Sequence, residues 1–169
     1  PDATGHITPE VLSEALTEDT ILLSCQLVNN EIGTVQPVEQ LGKLLKAKAP
    51  KALFHIDAVQ GLCRVRLTPK KWNCDLMSVS GHKIGAPKGI GALYVKKGLR
   101  LPPLTFGGGQ ERGMRPGTEA VPNIAAFAKA CEIRMTHFDE DYAHVKELAD
   151  YLKQQVAAEL PDAVINGEG

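Results

Sequence analysis

The sequence predicts an α/β fold in which a mostly parallel β-sheet is flanked by helices. Short apolar runs of strand length alternate along the chain with segments of helical character, which is the pattern of parallel sheets. The first of these runs is almost continuously apolar, as expected for a strand that is buried on both faces. Several of the runs end in clusters of polar residues, and this placement bears on function.

The composition fits a soluble globular domain. The chain has 169 residues, of which 43% are hydrophobic and 23% charged, and it is long enough to bury a core. The formal net charge of -1 argues against a general nucleic-acid-binding protein. No apolar stretch approaches the length needed to cross a bilayer, so a membrane partner is not expected.

In the first half of the chain, Thr8-Pro9-Glu10 has a capping hydroxyl, a proline suited to the first helical turn and an acidic residue, which predicts a helix up to Leu16. Residues 20–28 (TILLSCQLV) form an apolar run that is too short for a helix and predicts a strand. A second helix is predicted over residues 37–47, and a second strand over residues 52–56.

In the second half, residues 75–79 and 90–95 are β-like runs and predict two more strands. Residues 107–117 are rich in glycine and predict a long loop. Helices are predicted over residues 121–136 and 139–160, the second with mixed charges on a solvated face.

The cysteines are scattered and form neither a C-x-x-C pair nor a metal-ligand spacing, so no metal site and no disulfide framework is expected. We interpret them as small buried side chains in a reducing compartment, and we expect a cytoplasmic protein. The four are Cys25, Cys63, Cys74 and Cys131.

Polar residues follow three of the predicted strands. Residues 29–31 (NNE) follow the first strand, Asp57 and Gln60 follow the second, and residues 80–83 (SGHK) follow the third. Ligands of such sheets bind outside the carboxyl ends of the strands, so these groups are expected to converge on one edge. Any of them alone is more often a turn, capping or surface residue, and it is the convergence that predicts a site.

The set matches what pyridoxal phosphate requires: a lysine for its aldehyde, an acid for its pyridine nitrogen and small donors for its phosphate. Lys83 is the candidate for the aldehyde, Asp57 for the ring nitrogen, and Ser80 and His82 for the phosphate. Lys88 is the competing lysine, but it lies on the turn, whereas Lys83 follows its strand closely.

Four blocks of the sequence then resemble one family, the cysteine desulfurases, which are pyridoxal-phosphate enzymes of the class V aminotransferase group. Selenocysteine lyases are similar. The resemblance implies the type I fold of pyridoxal-phosphate-dependent transferases, of which this chain would hold a part. The blocks are VNNEIG (28–33), HIDAVQ (55–60), DLMSVSGHKIGAPKGIGALYV (75–95) and GGGQERGMRPGT (107–118).

The resemblance implies a role for each matching residue. Lys83 would attach the cofactor covalently, Asp57 would pair with the pyridine nitrogen, and Gln60 would hydrogen-bond the ring hydroxyl. Ser80 and His82 would bind the phosphate.

Two further roles concern the substrate and a second subunit. Asn30 would lie beside the ring and help to hold the substrate carboxylate, and Thr118 would reach the phosphate of the other subunit of a homodimer with shared active sites. The reaction implied is the conversion of L-cysteine to L-alanine with the sulfur left as an enzyme-bound persulfide, which a sulfur-acceptor protein collects for iron–sulfur clusters or thiolated cofactors.

The ends of the chain predict a fragment, because it opens on Pro1 and closes on a strand-like run. Residues 1–160 are expected to be the central to C-terminal part of the large cofactor-binding domain, and residues 161–169 the start of the small C-terminal domain. No cysteine here matches the family's nucleophile, and its carboxylate-binding arginine is not found either, so the isolated chain is expected to be inactive. The alternatives are a selenocysteine lyase, another class V enzyme, or an inert fragment or scaffold module.

Overall fold

The computed structural model describes residues 1–167, and a four-stranded sheet in the order β1-β2-β3-β4 forms its centre. Strands β1, β2 and β3 run parallel, and β4 is antiparallel to β3, which confirms a mostly parallel sheet. The strands are β1 (Leu22–Gln26), β2 (Leu53–Asp57), β3 (Leu76–Ser80) and β4 (Gly91–Val95).

Four helices lie at or near their predicted positions, but within residues 1–167 helices and strands alternate only from the first helix to β2, since β2, β3 and β4 follow one another without an α-helix between them. The first begins as its sequence predicts, because the Thr8 hydroxyl accepts a hydrogen bond from the Val11 N–H at 3.3 Å. Two shorter 3-10 segments cover Gly81–Ile84 and Gln110–Gly113. The helices are α1 (Pro9–Ala15), α2 (Val38–Lys48), α3 (Val121–Thr136) and α4 (Phe138–Glu159).

The core lies between α2 and one face of the sheet. Leu41 of α2 and Phe54 and Ile56 of β2 are each 0% exposed. The helix approaches the chain ahead of β3 so closely that a Cβ added at Gly42 would lie 2.0 Å from the Trp72 carbonyl oxygen. A glycine is therefore required at this point of α2, although glycine lowers helix propensity.

The other face of the sheet differs from the prediction. In β1 only Cys25 is buried, and Leu22, Ser24 and Gln26 on the opposite face are exposed. The expectation of a strand buried on both faces is therefore wrong for the described residues. The physical reason is that α2 covers one face only, and polar residues at alternate positions of β1 already marked the second face.

A buried ion cluster fixes the amino edge of the sheet. Asp75, which is 4% exposed, accepts hydrogen bonds from Lys46 Nζ at 2.8 Å, Lys96 Nζ at 2.9 Å and the Phe54 N–H at 3.0 Å. Burial raises the pKa of this carboxyl, but the bonds from the two lysines and the N–H outweigh it and leave the pKa below its ordinary value. The cluster joins α2, β2 and the ends of β3 and β4.

Helix α4 is held to the rest of the chain through its first turn. Phe138 is 9% exposed, and the Arg66 guanidinium lies 4.6 Å from the centroid of its ring while pairing with Asp139 at 2.6 Å. Most of the remaining helix is exposed, including Tyr151 at 61% and Leu152 at 63%. Within residues 1–167, no helix combines the length and the apolar character that a membrane span requires.

After α4, residues 161–167 form turns and irregular backbone, so the strand expected at the end of the chain is not present among them. Residues 168 and 169 of the segment predicted to open a small domain lie outside the described residues.

Candidate active site

The parallel register brings three chain segments to one edge of the sheet. Gln26 of β1 is level with Asp57 of β2, and Asp57 is level with Ser78 of β3. The chain leaves each strand at this edge, and β4 begins there because Ser80 pairs with Gly91. The polar residues that follow the strands therefore meet at the carboxyl edge, where parallel sheets bind their ligands.

The lysine turn (Gly81–Ile84) follows β3 and is a tight 3-10 segment. The Gly81 N–H donates to the Ile90 carbonyl at 2.9 Å, and the Ala86 N–H donates to the Gly81 carbonyl at 3.1 Å. A Cβ added at Gly81 would lie 2.8 Å from a methyl carbon of Ile90, so the close approach of the two segments requires glycine. This packing fixes the backbone beside Lys83.

The polar groups at the edge differ in how they are engaged. Ser80 Oγ and His82 Nδ1 are hydrogen-bonded at 2.8 Å, and the Val59 N–H donates to Asp57 Oδ1 at 2.9 Å. The second carboxylate oxygen of Asp57 and the amine of Lys83 make no hydrogen bond or ion pair within residues 1–167. Both are available to a ligand, whereas the Ser80–His82 pair already forms one unit.

The two asparagines after β1 differ in their hydrogen-bond partners. Asn29 Oδ1 accepts hydrogen bonds from the N–H groups of Glu31 at 2.8 Å and Ile32 at 3.1 Å, so this side chain shapes the loop. Asn30 is exposed, and its amide donates to Glu31 Oε1 at 2.7 Å. Of the pair, Asn30 is the one that presents its amide at the surface.

Gln60 and Thr118 are less closely tied to this group. Gln60 lies in the turn after β2 and is half-buried. Thr118 is exposed in the glycine-rich loop, and no hydrogen bond or ion pair joins it to the other predicted residues among those that the structure describes. The structure thus places Asn30, Asp57, Ser80, His82 and Lys83 along one edge and leaves Thr118 apart.

Sequence reasoning missed two groups of side chains at this edge. His55 is hydrogen-bonded on both ring nitrogens, with Ser24 Oγ at 2.7 Å and Ser78 Oγ at 3.2 Å, and this ladder crosses three strands on the face that carries Asp57. The alternation of residues along β2 could have assigned His55 to this face, since residues 55 and 57 share it, but not its bond to Ser78. The second is Arg64, whose partners are backbone carbonyls and leave no mark in a sequence.

A cavity of about 800 Å³ lies beside the lysine turn. Its lining includes Lys83 and Ile84, residues 62–66, and Phe138 and Tyr142 of α4. None of the other predicted site residues lines it, and its walls are mostly apolar. The predicted site residues other than Lys83 lie at or after the strand ends, outside this cavity, so we place the candidate active site at the strand ends.

All four cysteines are free thiols. Burial raises the pKa of Cys25 and of Cys74 to about 11. Burial, and after it the neighbouring Cys131, raises the pKa of Cys63 to about 11 as well. Thiols with a pKa this high are poor nucleophiles at neutral pH, and the expectation that none of the four cysteines is the family's nucleophile stays a prediction.

The structure is an α/β domain with a mostly parallel sheet and a lysine turn at the carboxyl edge of that sheet. Comparison with known proteins identifies the family: the model of the class V aminotransferases matches residues 1–168. The chain therefore belongs to the class V aminotransferase family, whose members depend on pyridoxal phosphate.

The individual proteins that the chain resembles are cysteine desulfurases. The chain is 44% identical over 164 residues to a cysteine desulfurase from a Nostoc species, covering 97% of this chain and 40% of that protein. It is 46% identical over 165 residues to the mitochondrial cysteine desulfurase of Arabidopsis thaliana, covering 96% of this chain and 36% of that protein. The chain thus spans about 40% of the length of the curated relatives it matches.

Solved structures confirm the fold as that of the type I pyridoxal-phosphate-dependent transferases. A NifS-like protein superposes with a TM-score of 0.88 at 39% identity, covering 92% of this chain and 43% of the other. SspA in complex with cysteine superposes with a TM-score of 0.74 at 42% identity, covering 78% of this chain and 38% of the other.

Proposed function

We propose that the intact protein is a pyridoxal-phosphate-dependent cysteine desulfurase. It would convert L-cysteine and an enzyme thiol into L-alanine and an enzyme-bound persulfide. The observation that carries the proposal is the convergence of Asp57, the Ser80–His82 pair and Lys83 on the carboxyl edge of the sheet of a class V chain. The identity to cysteine desulfurases, at 42–46% over nearly the whole chain, supports this activity within the family.

The side chains present fit the cofactor. An amine without a protein partner suits an aldehyde, and a carboxylate with one open oxygen suits a protonated ring nitrogen. The hydroxyl and imidazole of the Ser80–His82 pair suit a phosphate, because each could donate to a phosphate oxygen in exchange for the bond that now joins them. We therefore propose that Lys83, Asp57, Ser80 and His82 hold the cofactor and that Gln60 contacts its ring hydroxyl.

The bound cofactor would supply an electron sink that stabilises negative charge at the substrate α-carbon. Asp57 would stabilise the protonated ring nitrogen through its negative charge. The amine of Lys83 would take the proton from the α-carbon of the substrate and return a proton to the product. Asn30 would orient the substrate by donating its amide to the carboxylate.

Reductive trapping tests the site assignment. The intact protein is incubated with pyridoxal phosphate, reduced with borohydride, digested and analysed by mass spectrometry. The pyridoxyl group is expected on Lys83 and is expected to disappear in Lys83→Arg. The matched control is Lys88→Arg, five positions along the same loop, which should label as the wild type does. A label on Lys88 would overturn the assignment, and no label would favour a scaffold module.

Product analysis tests the reaction. Alanine and sulfide in the presence of a reductant are expected from L-cysteine in the intact protein, and Lys83→Arg should abolish both. A strong preference for L-selenocysteine over L-cysteine would replace the proposal by a selenocysteine lyase. Cofactor on Lys83 without sulfur release would leave another class V reaction.

We further propose a homodimer in which Thr118 contacts the phosphate bound by its partner. The exposure of the loop that carries Thr118 supports this, since Leu104 and Phe106 beside it are 97% and 88% exposed. Mixing Lys83→Ala with Thr118→Ala subunits provides the test. If sites are shared, each mixed dimer contains one intact site, and random exchange should restore about a quarter of wild-type activity. Activity no higher than the mean of the two parent dimers would contradict shared sites.

We also propose that the protein is cytoplasmic and passes its sulfur to an acceptor protein. The free thiols support a reducing compartment. Cell fractionation with immunoblotting tests the location, and recovery from an oxidising compartment would contradict it. Transfer of labelled sulfur from L-cysteine to a co-purified protein tests the acceptor.

A further inference from the structure

Arg64 joins the two loops that carry Gln60 and Lys83. Its Nη2 donates to the Lys83 carbonyl at 2.9 Å, and its Nη1 donates to the Gln60 carbonyl at 3.3 Å. We propose that Arg64 is a positioning residue, which holds the backbone of Lys83 at a fixed distance from the loop after β2. We call these two bonds of Arg64 the clamp. The bonds are observed independently of any function, and only the purpose that we assign to the clamp rests on the proposed function.

A guanidinium is suited to this task. Its planar fork presents several N–H donors in fixed directions, so one side chain can serve two carbonyls of different loops. The last carbonyls of a helical turn have no partner within the turn, and Lys83 and Ile84 end this one. Arg134 of α3 donates to the Ile84 carbonyl at 3.5 Å, a longer and weaker contact than that of Arg64.

The backbone before Arg64 is strained in a way that fits the proposal. Cys63 has a φ of 57°, a left-handed conformation that a residue with a Cβ rarely adopts. The Arg64 and Val65 N–H groups both donate to the Gly61 carbonyl, at 3.0 and 2.9 Å, and close the turn behind it. Strain of this kind persists where the surrounding contacts hold it, and here the turn directs Arg64 toward the Lys83 carbonyl.

The clamp matters because the Lys83 side chain has no other anchor. Its amine makes no hydrogen bond or ion pair within the described part of the chain, so its position depends on its backbone. On the Asp57 side, the Val59 N–H fixes one carboxylate oxygen. Arg64 connects the two sides, because Gln60 directly follows the segment that holds Asp57. Small misplacements of reacting groups cost large factors in rate.

The first test measures the clamp without the cofactor. Amide hydrogen exchange of Gly85 and Ala86, which bond back to Gly81, is compared between the intact wild-type protein and Arg64→Ala. Exchange at least about tenfold faster in the variant is expected, since the turn loses a contact that holds it closed. The control is Arg100→Ala, an arginine outside the site, which should leave these amides unchanged. Unchanged exchange in Arg64→Ala would overturn the proposal.

The second test measures the consequence at Lys83. In Arg64→Ala, trapping of pyridoxal phosphate on Lys83 should slow by about tenfold, and kcat should fall by about tenfold to a hundredfold with little change in KM. Arg64→Lys should recover part of both, because an ammonium can still donate to one carbonyl. A variant that traps and turns over as the wild type does would refute a positioning role.

The two tests separate the clamp from the proposed function. Faster amide exchange in a protein whose wild type never labels Lys83 would leave the clamp standing and remove the desulfurase proposal. Normal labelling of Lys83 and normal turnover in Arg64→Ala would refute the positioning role and leave the desulfurase proposal standing. A merely structural role predicts a lower melting temperature with kcat per folded molecule unchanged, and that result would also refute positioning.

Discussion

Replacing Asp75 by asparagine should destabilise the fold strongly while leaving the candidate site chemically intact. The carboxylate is 4% exposed and receives bonds from Lys46 and Lys96 as well as a backbone N–H. Asparagine preserves the volume, but its NH₂ group faces a lysine donor. Hydrogen bonds to a buried charge contribute about 1.5–3 kcal/mol each. The Lys96 bond counts for less, because that side chain is 51% exposed and hydrates readily.

Together these contributions predict that Asp75→Asn lowers the free energy of unfolding by about 3 kcal/mol, at the lower end of what breaking a buried ion pair costs. With an m-value of about 3 kcal/mol per molar urea, the midpoint of urea unfolding should fall by about 1 M. The control is Glu39→Gln, since Glu39 also pairs with two lysines, Lys43 at 2.7 Å and Lys71 at 2.8 Å, but at the surface. Its midpoint should shift far less.

The dependence on pH gives a second check. Because the pKa of Asp75 is lowered in the folded protein, its stabilisation is fully present above the ordinary carboxyl pKa and is lost as pH falls through the folded value. The difference between wild type and Asp75→Asn should therefore be constant from about pH 8 to about pH 5 and should shrink below about pH 4. Equal midpoints for the two proteins at pH 7 would refute the reasoning.

Three further predictions concern the site, the core and the thiols. Asp57→Asn should lower kcat at least about tenfold, equivalent to about 1.4 kcal/mol, with unchanged folding by circular dichroism, and an unchanged kcat would contradict its role. Gly42→Ala should destabilise by about 2 kcal/mol in urea unfolding, because overlap with the Trp72 carbonyl exceeds the gain in helix propensity, and a stabilised variant would contradict this packing. With pKa values of about 11, Cys25 and Cys74 should resist iodoacetamide at pH 8 until urea is added, which mass spectrometry of the labelled protein checks. Fast labelling of either thiol in the native protein would contradict its burial.

Local signals in the sequence were sufficient to predict most of the fold. The hydroxyl of Thr8 and the following proline marked the start of α1, and the spacing of apolar residues marked α2, because these features act within a few residues. The burial of β1 was predicted wrongly, because only the alternation of Ser24 and Gln26 with apolar residues marked its open face. An apolar run states that a strand can be buried, but what covers each face depends on distant parts of the chain.

The candidate site was predictable where it depended on topology. Parallel strands bring their carboxyl ends together, so the prediction of a mostly parallel sheet was enough to assign Asp57 and Ser80 to one edge, although no helix lies between β2 and β3 among the residues described. Arg64 could not be assigned in this way, because its partners are carbonyl oxygens that every residue carries. Nor could the bond between His55 and Ser78, since residues 57 and 78, not 55 and 78, are level in the register.

The two edges of the sheet differ in how their charged side chains are paired. At the amino edge, Asp75 gathers two lysines and a backbone N–H, and its bonds connect α2 to three strands. At the carboxyl edge, Lys83 is exposed, and its amine and one oxygen of Asp57 have no protein partner among residues 1–167, which leaves them open to a ligand. It follows that Asp75→Asn and Arg64→Ala should differ in kind: the first lowers the free energy of unfolding and leaves kcat per folded molecule unchanged, whereas the second lowers kcat more than stability.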